Sequence, residues 1–374
     1  MKNSLLKWRF IIIFIMLLLT KVIYAGLLYI SLGGPRGFKV PVMDVWKAHM
    51  PLDWLYLFSA WDTGHYIMIV NSWYSLERSY LWAFFPLYPF MIKVLTFVGV
   101  NVWISAFLIS IIAGTLSIIV FQKVAKKYLS EDKALIVTLL YFLFPPIFIF
   151  STVCYTEPLF LLFSLLSWNF YLLKRNFKSA LFASLTTMTR PNGILIIIPI
   201  IYDCLRERRL KNTAYFSFPI LTLLGWSFYG YQITKDPFIL LSARLYWRTD
   251  KIQALENALN ALFHGDTYGF FMLQKYFYIA FGGLLFIILI LFLSYRAWKL
   301  NNSLGLYSFL STLTITCFGY STSFISFPRI LSFLFPIGLS LNFKNRFITA
   351  IALISFLMLS YVCWLAFLTT DLFH

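Results

Sequence analysis

Charge is what this sequence has least of, and acid above all. Charged residues make up 12% of the 374, and 14 Asp and Glu stand against 31 Lys and Arg. A soluble domain devotes about a quarter of its residues to charge, so a water-facing globule is excluded. Cysteine is nearly missing. Cys154, Cys204, Cys317 and Cys363 are scattered and form no CxxC or His-paired spacing, which supports neither a disulfide framework nor a zinc site. Walker-type, GxGxxG and kinase patterns are also lacking, so no Gly-rich nucleotide cradle is expected. No internal repeat is evident. What fills the chain is apolar: 60% hydrophobic, 20% aromatic, with a mean hydropathy of +0.79. That is about 224 residues, room for roughly eleven crossings of about 20 residues each. The composition predicts an all-α polytopic membrane protein built as one integral domain over 1–374.

The net charge of +17 then reads as orientation, not as nucleic-acid binding. Basic residues gather in short gaps between apolar runs: Lys2, Lys7 and Arg9; Lys123, Lys126, Lys127 and Lys133; Lys174, Arg175 and Lys178. Further clusters are Arg206, Arg208, Arg209 and Lys211, then Arg296 and Lys299, then Lys344 and Arg346. One alternation makes all of these loops cytoplasmic. It has crossings at 10–32, 101–122, 134–152 and 158–173, a short hairpin at 179–204, and crossings at 213–233, 269–294, 304–323, 329–343 and 347–369. The N-terminus is then inside, and the segments 33–100 and 234–268 lie outside. The stretch 84–100 is apolar enough to span, but a crossing there would turn Lys123–Lys133 outward. With Pro86 and Pro89 at its start it reads as an interfacial or re-entrant helix. The halves of the hairpin around Thr189–Gly193 are short, which suggests broken helices lining a cavity. The apolar N-terminal run exceeds an ordinary signal-peptide core and is read as a retained span.

Four outer junctions hold the candidate chemistry. In 33–100, Trp61-Asp62-Thr63-Gly64-His65-Tyr66 places an acid and a histidine on one side of a helical turn. Near a low-dielectric surface Asp62 is expected to hold its proton more tightly, as suits a general base for a hydroxyl. The plainer reading makes Trp61 and Tyr66 interfacial aromatics and Asp62 a helix cap. Tyr155-Thr156-Glu157-Pro158 offers a second acid, though Glu157 before a proline also simply opens a helix. In Thr189-Arg190-Pro191-Asn192-Gly193, Asn192-Gly193 is an ordinary turn signal, while Arg190 among apolar residues calls for a polar partner. Arg329, after Phe327-Pro328, either snorkels to headgroups or joins the same face. Two outer arginines and two outer acids form the inventory for a phosphate leaving group and a deprotonated hydroxyl. In the loop after 213–233, Arg244, Trp247, Arg248 and Lys251 read as an amphipathic segment on the headgroups, or as a lid over a lipid-linked phosphate.

Trp61-Asp62-x-x-His65-Tyr66, Phe84-Phe85-Pro86-x-Tyr88-Pro89, Tyr155-Thr156-Glu157-x-Leu159-Phe160, Thr189-Arg190-x-Asn192-Gly193 and Pro328-Arg329-x-Leu331 closely resemble the PIG-V family. These are the second mannosyltransferases of GPI-anchor synthesis and their prokaryotic relatives. Order and spacing agree from about residue 55 to 340. The resemblance implies a GT-C glycosyltransferase fold, an active site facing away from the cytoplasm, a polyprenyl-phosphate sugar donor (typically mannose) and inversion at the anomeric carbon. It places the catalytic aspartate on Asp62 with His65 beside it. Glu157 is then a candidate to orient a lipid or glycan acceptor, and Arg190 and Arg329 to hold the donor phosphate, with Tyr66, Asn192, Trp247 and Arg248 as further substrate contacts. No cofactor is assigned, and a divalent metal beside Asp62 stays open because no second carboxylate has clear ligand spacing. Many prokaryotic relatives carry a glutamine three residues before a tryptophan after span 7, where this chain has Arg244 before Trp247. The wealth of Lys, Asn, Ile and Phe points to an AT-rich prokaryote and its cell membrane. A transporter or flippase of lipid-linked saccharides is the alternative, and it would want charged or broken elements opening to both sides.

Overall fold

The computed structural model describes residues 2–33, 50–246, 260, 267–318 and 323–369, and among these no strand occurs. The chain is an all-α membrane protein. Its helices include α1 (Lys2–Ser31), α2 (Asp62–Ser72), α3 (Leu87–Phe97), α4 (Val102–Ala125), α5 (Glu131–Leu143), α6 (Pro145–Phe150), α7 (Glu157–Leu172) and α8 (Asn176–Thr189). There follow α9 (Ile197–Arg206), α10 (Ser217–Thr234), α11 (Thr267–Leu300), α12 (Asn302–Phe318), α13 (Ser323–Ser332), α14 (Phe335–Ser340) and α15 (Arg346–Thr369).

Among the described residues four stretches are long and apolar enough to cross a bilayer: Trp8–Ser31, Val102–Ala125, Phe281–Leu300 and Arg346–Thr369. The expected crossings 158–173, 213–233 and 304–323 are single helices, α7, α10 and α12, while proline breaks others into two pieces. The stretch 134–152 divides into α5 and α6 at Phe144, because Pro145 has no N–H to continue the ladder. The stretch 329–343 divides between α13 and α14, with Pro336 in the first turn of α14. The hairpin 179–204 is broken as the sequence suggested: α8 ends at Thr189, a 3-10 turn runs Pro191–Ile196, and α9 follows. Helix α3 has 11 residues, about 16 Å at 1.5 Å per residue, and so is too short to cross the roughly 30 Å core.

Helix α7 is the centre of the bundle, packed on α4 and α8, with Leu161, Leu165 and Trp168 fully covered. A second core is aromatic: Tyr74, Trp82, Phe85 and Trp226 close over α2 and α10. Between α6 and α7 the segment 151–156 lacks regular structure yet is wholly buried. Its backbone polar groups therefore need fixed partners. The Cys154 N–H donates to the Phe58 carbonyl at 2.7 Å, and the Cys154 carbonyl accepts from the Thr63 hydroxyl at 3.3 Å. Helix α4 lies so close that a Cβ on Gly114 would overlap the Ser151 carbonyl oxygen. This buried strap joins the loop before α2 to the start of α7.

Candidate active site

Asp62 opens α2, where the helix N-terminus favours a negative charge. The residue before it, Trp61, has φ 53° and ψ −111°, a left-handed conformation that costs a bulky residue of order 1–3 kcal/mol. Its indole N–H donates to the Phe367 carbonyl at 3.0 Å, which ties this turn to α15. The Asp62 backbone N–H donates to the Tyr155 hydroxyl at 3.2 Å. The strap and the first turn of α2 are thus held together from both sides.

Four charged side chains converge there from distant parts of the sequence. Arg329 of α13 donates through Nη1 to Asp62 Oδ2 at 2.9 Å, and its Nε lies 3.1 Å from Glu157 Oε1. Arg190, after α8, donates to the same Glu157 Oε1 at 2.6 Å. The Arg329 guanidinium also lies 5.0 Å from the Tyr155 ring centre and 5.8 Å from that of Phe150, within cation–π reach. Exposure is graded across the quartet: the Glu157 side chain keeps 1%, Arg329 13%, Arg190 16% and Asp62 29%. Asp62 is therefore the member a ligand can reach most readily, and Glu157 is the hub that fixes both arginines.

The electrostatics correct the expectation for Asp62. Burial alone would raise its proton affinity, but Arg329, with His65 and Arg190 behind it, outweighs burial and holds the carboxyl below its ordinary range. Membrane proximity is visible in the sequence; the arginine 267 positions away is not. Tyr66 shifts the opposite way: burial first, then the Asp62 and Glu157 carboxylates, push its phenol well up, so it stays a neutral hydrogen-bonding group.

The remaining candidates fall around this quartet. His65 is one turn beyond Asp62, its ring 4.9 Å from Phe84 and 6.2 Å from Tyr80. The Tyr66 hydroxyl lies 3.3 Å from the Thr156 hydroxyl, which is 3.5 Å from Glu157 Oε2. Asn192 sits in the 3-10 turn just after Arg190, and its buried Nδ2 has no hydrogen-bond partner among the described residues. Gly193 next to it has no alternative, since a Cβ there would overlap the Thr186 carbonyl. Trp247 and Arg248 lie outside the described residues. Two contributors went unassigned in the sequence: Tyr155, which braces both Asp62 and Arg329, and Thr156, which links Tyr66 to Glu157. Both stand in the same triplet as Glu157, which was the available signal. No three His, Cys, Asp or Glu side chains among the described residues group closely enough to hold a metal ion together.

The profile of the mannosyltransferase (PIG-V) family matches residues 5–211, more than half of the chain and a stretch holding Asp62, Glu157 and Arg190. GPI mannosyltransferase 2 of Schizosaccharomyces pombe is 29% identical over 137 residues, which is 36% of this chain and 29% of that protein. The matched part thus covers less than a third of the relative's length. No solved structure matches the chain.

Proposed function

The chain belongs to the PIG-V mannosyltransferase family, and on that premise we propose that it transfers mannose from a polyprenyl-phosphate donor to a hydroxyl of a lipid or glycan acceptor, with Asp62 as the general base. The single observation that carries this reading is the bridge Asp62–Arg329–Glu157–Arg190: an accessible carboxylate in line with two guanidiniums that a second, buried carboxylate holds in place. The quartet sums to zero charge. An incoming phosphodiester therefore meets cations already oriented, at no cost in arginine entropy.

The charge moves simply. The acceptor O–H gives its proton to Asp62 while its oxygen bonds to the anomeric carbon from the face opposite the phosphate. The bond from that carbon to the phosphate oxygen breaks with its electron pair on the oxygen, and configuration inverts. Asp62 loses one negative charge and the lipid phosphate gains one. Arg329, bound to Asp62 at rest, can follow that charge to the departing phosphate while Glu157 keeps it in place. While Arg329 rests on Asp62 the carboxylate is a weak base; engagement of the donor phosphate by Arg329 strengthens it. Glu157, at 1% exposure, serves in this scheme to position the arginines instead of touching acceptor. The unpaired Asn192 amide is a donor for a sugar hydroxyl or phosphate oxygen. The basic gaps of the sequence favour an orientation with this site away from the cytoplasm, and the Lys, Asn, Ile and Phe content favours a prokaryotic cell membrane.

The test is purified protein with polyprenyl-phosphate mannose and a membrane-lipid extract, following release of polyprenyl phosphate and formation of mannosylated lipid. Asp62→Asn should lower the rate about 10²–10⁴-fold with folding intact. Full activity in that variant would remove Asp62 from the mechanism. A wild-type protein that moves the lipid-linked sugar across vesicles without cleaving it would replace the enzyme with a transporter.

A further inference from the structure

Lys21 belongs to no part of the mechanism above, and its position is unusual. It lies near the middle of the apolar stretch Trp8–Ser31, yet it is only 7% exposed and faces the bundle. A lysine at mid-membrane costs about 2.5–3.5 kcal/mol on insertion scales, so it persists where it has work to do. Among the described residues no carboxylate lies within ion-pair distance of it. Its ammonium donates instead to the Ser151 hydroxyl at 2.5 Å and sits 5.4 Å from the centre of the Phe148 ring.

Ser151 is the first residue of the buried strap. Its carbonyl is jammed against Gly114 of α4 on one side, and its hydroxyl is held by Lys21 of α1 on another. Phe150 precedes it and stacks on Tyr155 with ring centres 5.7 Å apart, and both rings face the Arg329 guanidinium. The strap then runs through Cys154 and Thr156 to Glu157. Whatever fixes Ser151 fixes one end of the only covalent path between α6 and the hub of the quartet.

We propose that Lys21 is a positioning residue for the transfer reaction, anchoring the strap through Ser151 so that Tyr155 and Glu157 hold Arg329 against Asp62. The first span thereby becomes part of the active site without touching substrate. A lysine fits this task where a methionine does not. The ammonium carries three donors on a long apolar stem, so it can bond Ser151 and rest on the Phe148 face while its methylenes pack among apolar side chains.

This inference rests on the transfer reading for its kinetic consequence but not for its structural one, so two measurements separate them. The structural probe is Cys154, in the middle of the strap and fully buried. N-ethylmaleimide labelling of Cys154 in detergent-purified full-length protein is followed by peptide mass spectrometry, with exposed Cys317 as the internal reference. Lys21→Met and Ser151→Ala should each raise the Cys154 labelling rate several-fold, while Lys21→Arg, which keeps a donor, should not. The kinetic probe is transfer at saturating donor: Lys21→Met and Ser151→Ala should each lower kcat about tenfold with donor KM within twofold, the signature of misplaced groups. The double variant should be no worse than either single, since both cut one link. Wild-type labelling and kcat in Ser151→Ala would overturn the proposal even if Lys21→Met fails to fold. Multiplying losses in the double variant would overturn it too. Faster labelling in a protein whose wild type shows no transfer at all would keep the anchor and remove the function.

Discussion

Helix α7 carries a charged cluster at each end, and the two are built from the same residue types to opposite effect. At its first residue Glu157 is sealed beneath Arg190 and Arg329. About 24 Å away along 16 residues, its last turn offers the Tyr171 hydroxyl to Asp203 at 3.1 Å, while Arg209 donates to that hydroxyl at 3.1 Å. Arg209 also pairs with Glu207 at 2.8 Å, and Lys174 approaches Glu207 at 3.7 Å. The Glu207 side chain is 48% exposed and Lys174 64%, against 1% for Glu157. Exposed pairs exchange water for each other at little gain, whereas buried ones are expensive to assemble and more expensive to break. One end of α7 is therefore a solvated fastening between helices. The other is kept at a cost that stability alone does not repay, which is where chemistry is expected.

Glu157→Gln should break this contrast most severely. The amide is nearly isosteric, so packing survives, but two largely buried guanidiniums lose their shared anion. Breaking a buried pair costs about 3–5 kcal/mol, so thermal unfolding in detergent should fall markedly and transfer with it. An unchanged unfolding temperature would mean that Glu157 is not the hub. Arg329→Met should act less on folding and more on pH dependence. In the wild type, Asp62 is held below the ordinary carboxylate range. Its charge, and the stability that goes with it, is therefore complete at neutral pH and is lost only as pH falls through that lowered value. Without Arg329 the burial that favours the protonated form loses its strongest opponent, so the acid limb of kcat/KM, which reports the free enzyme, should move upward. An acid limb at the same pH in both proteins would show that Arg329 does not govern Asp62.

How far this contrast could be read beforehand depends on what distance along the chain conceals. Asp62, Glu157, Arg190 and Arg329 were each visible, because a charge inside an apolar run is conspicuous and each sits in a recognisable motif. Their joining was not, because 33 positions separate Glu157 from Arg190 and 267 separate Asp62 from Arg329. The sign of the Asp62 shift went wrong for that reason: burial is a local property, and the cation that overrides it is not. The helical membrane class followed from composition, but counting apolar residues does not show that new helices start at Pro145 and Phe335 inside 134–152 and 329–343. Lys21 is readable in principle as a lone charge within a span, but no motif singles it out. Its meaning depends on Ser151, 130 positions on.

Arg209→Gln is the smallest change and the one that tests the logic of the comparison. The Arg209 side chain is 21% exposed and its partner Glu207 is nearly half exposed, so water can replace the lost contacts. Tyr171 keeps its bond to Asp203, and Asp203 keeps the Ser303 hydroxyl at 2.5 Å, so α7, α9 and α12 remain tied without the arginine. The expected loss is about 0–1 kcal/mol, the range of solvent-exposed pairs, with transfer within twofold of wild type. A drop in activity as large as that of Glu157→Gln, with folding unchanged, would mean that the far end of α7 sets the position of Glu157. In that case the division of this helix into a fastening end and a chemical end would fail.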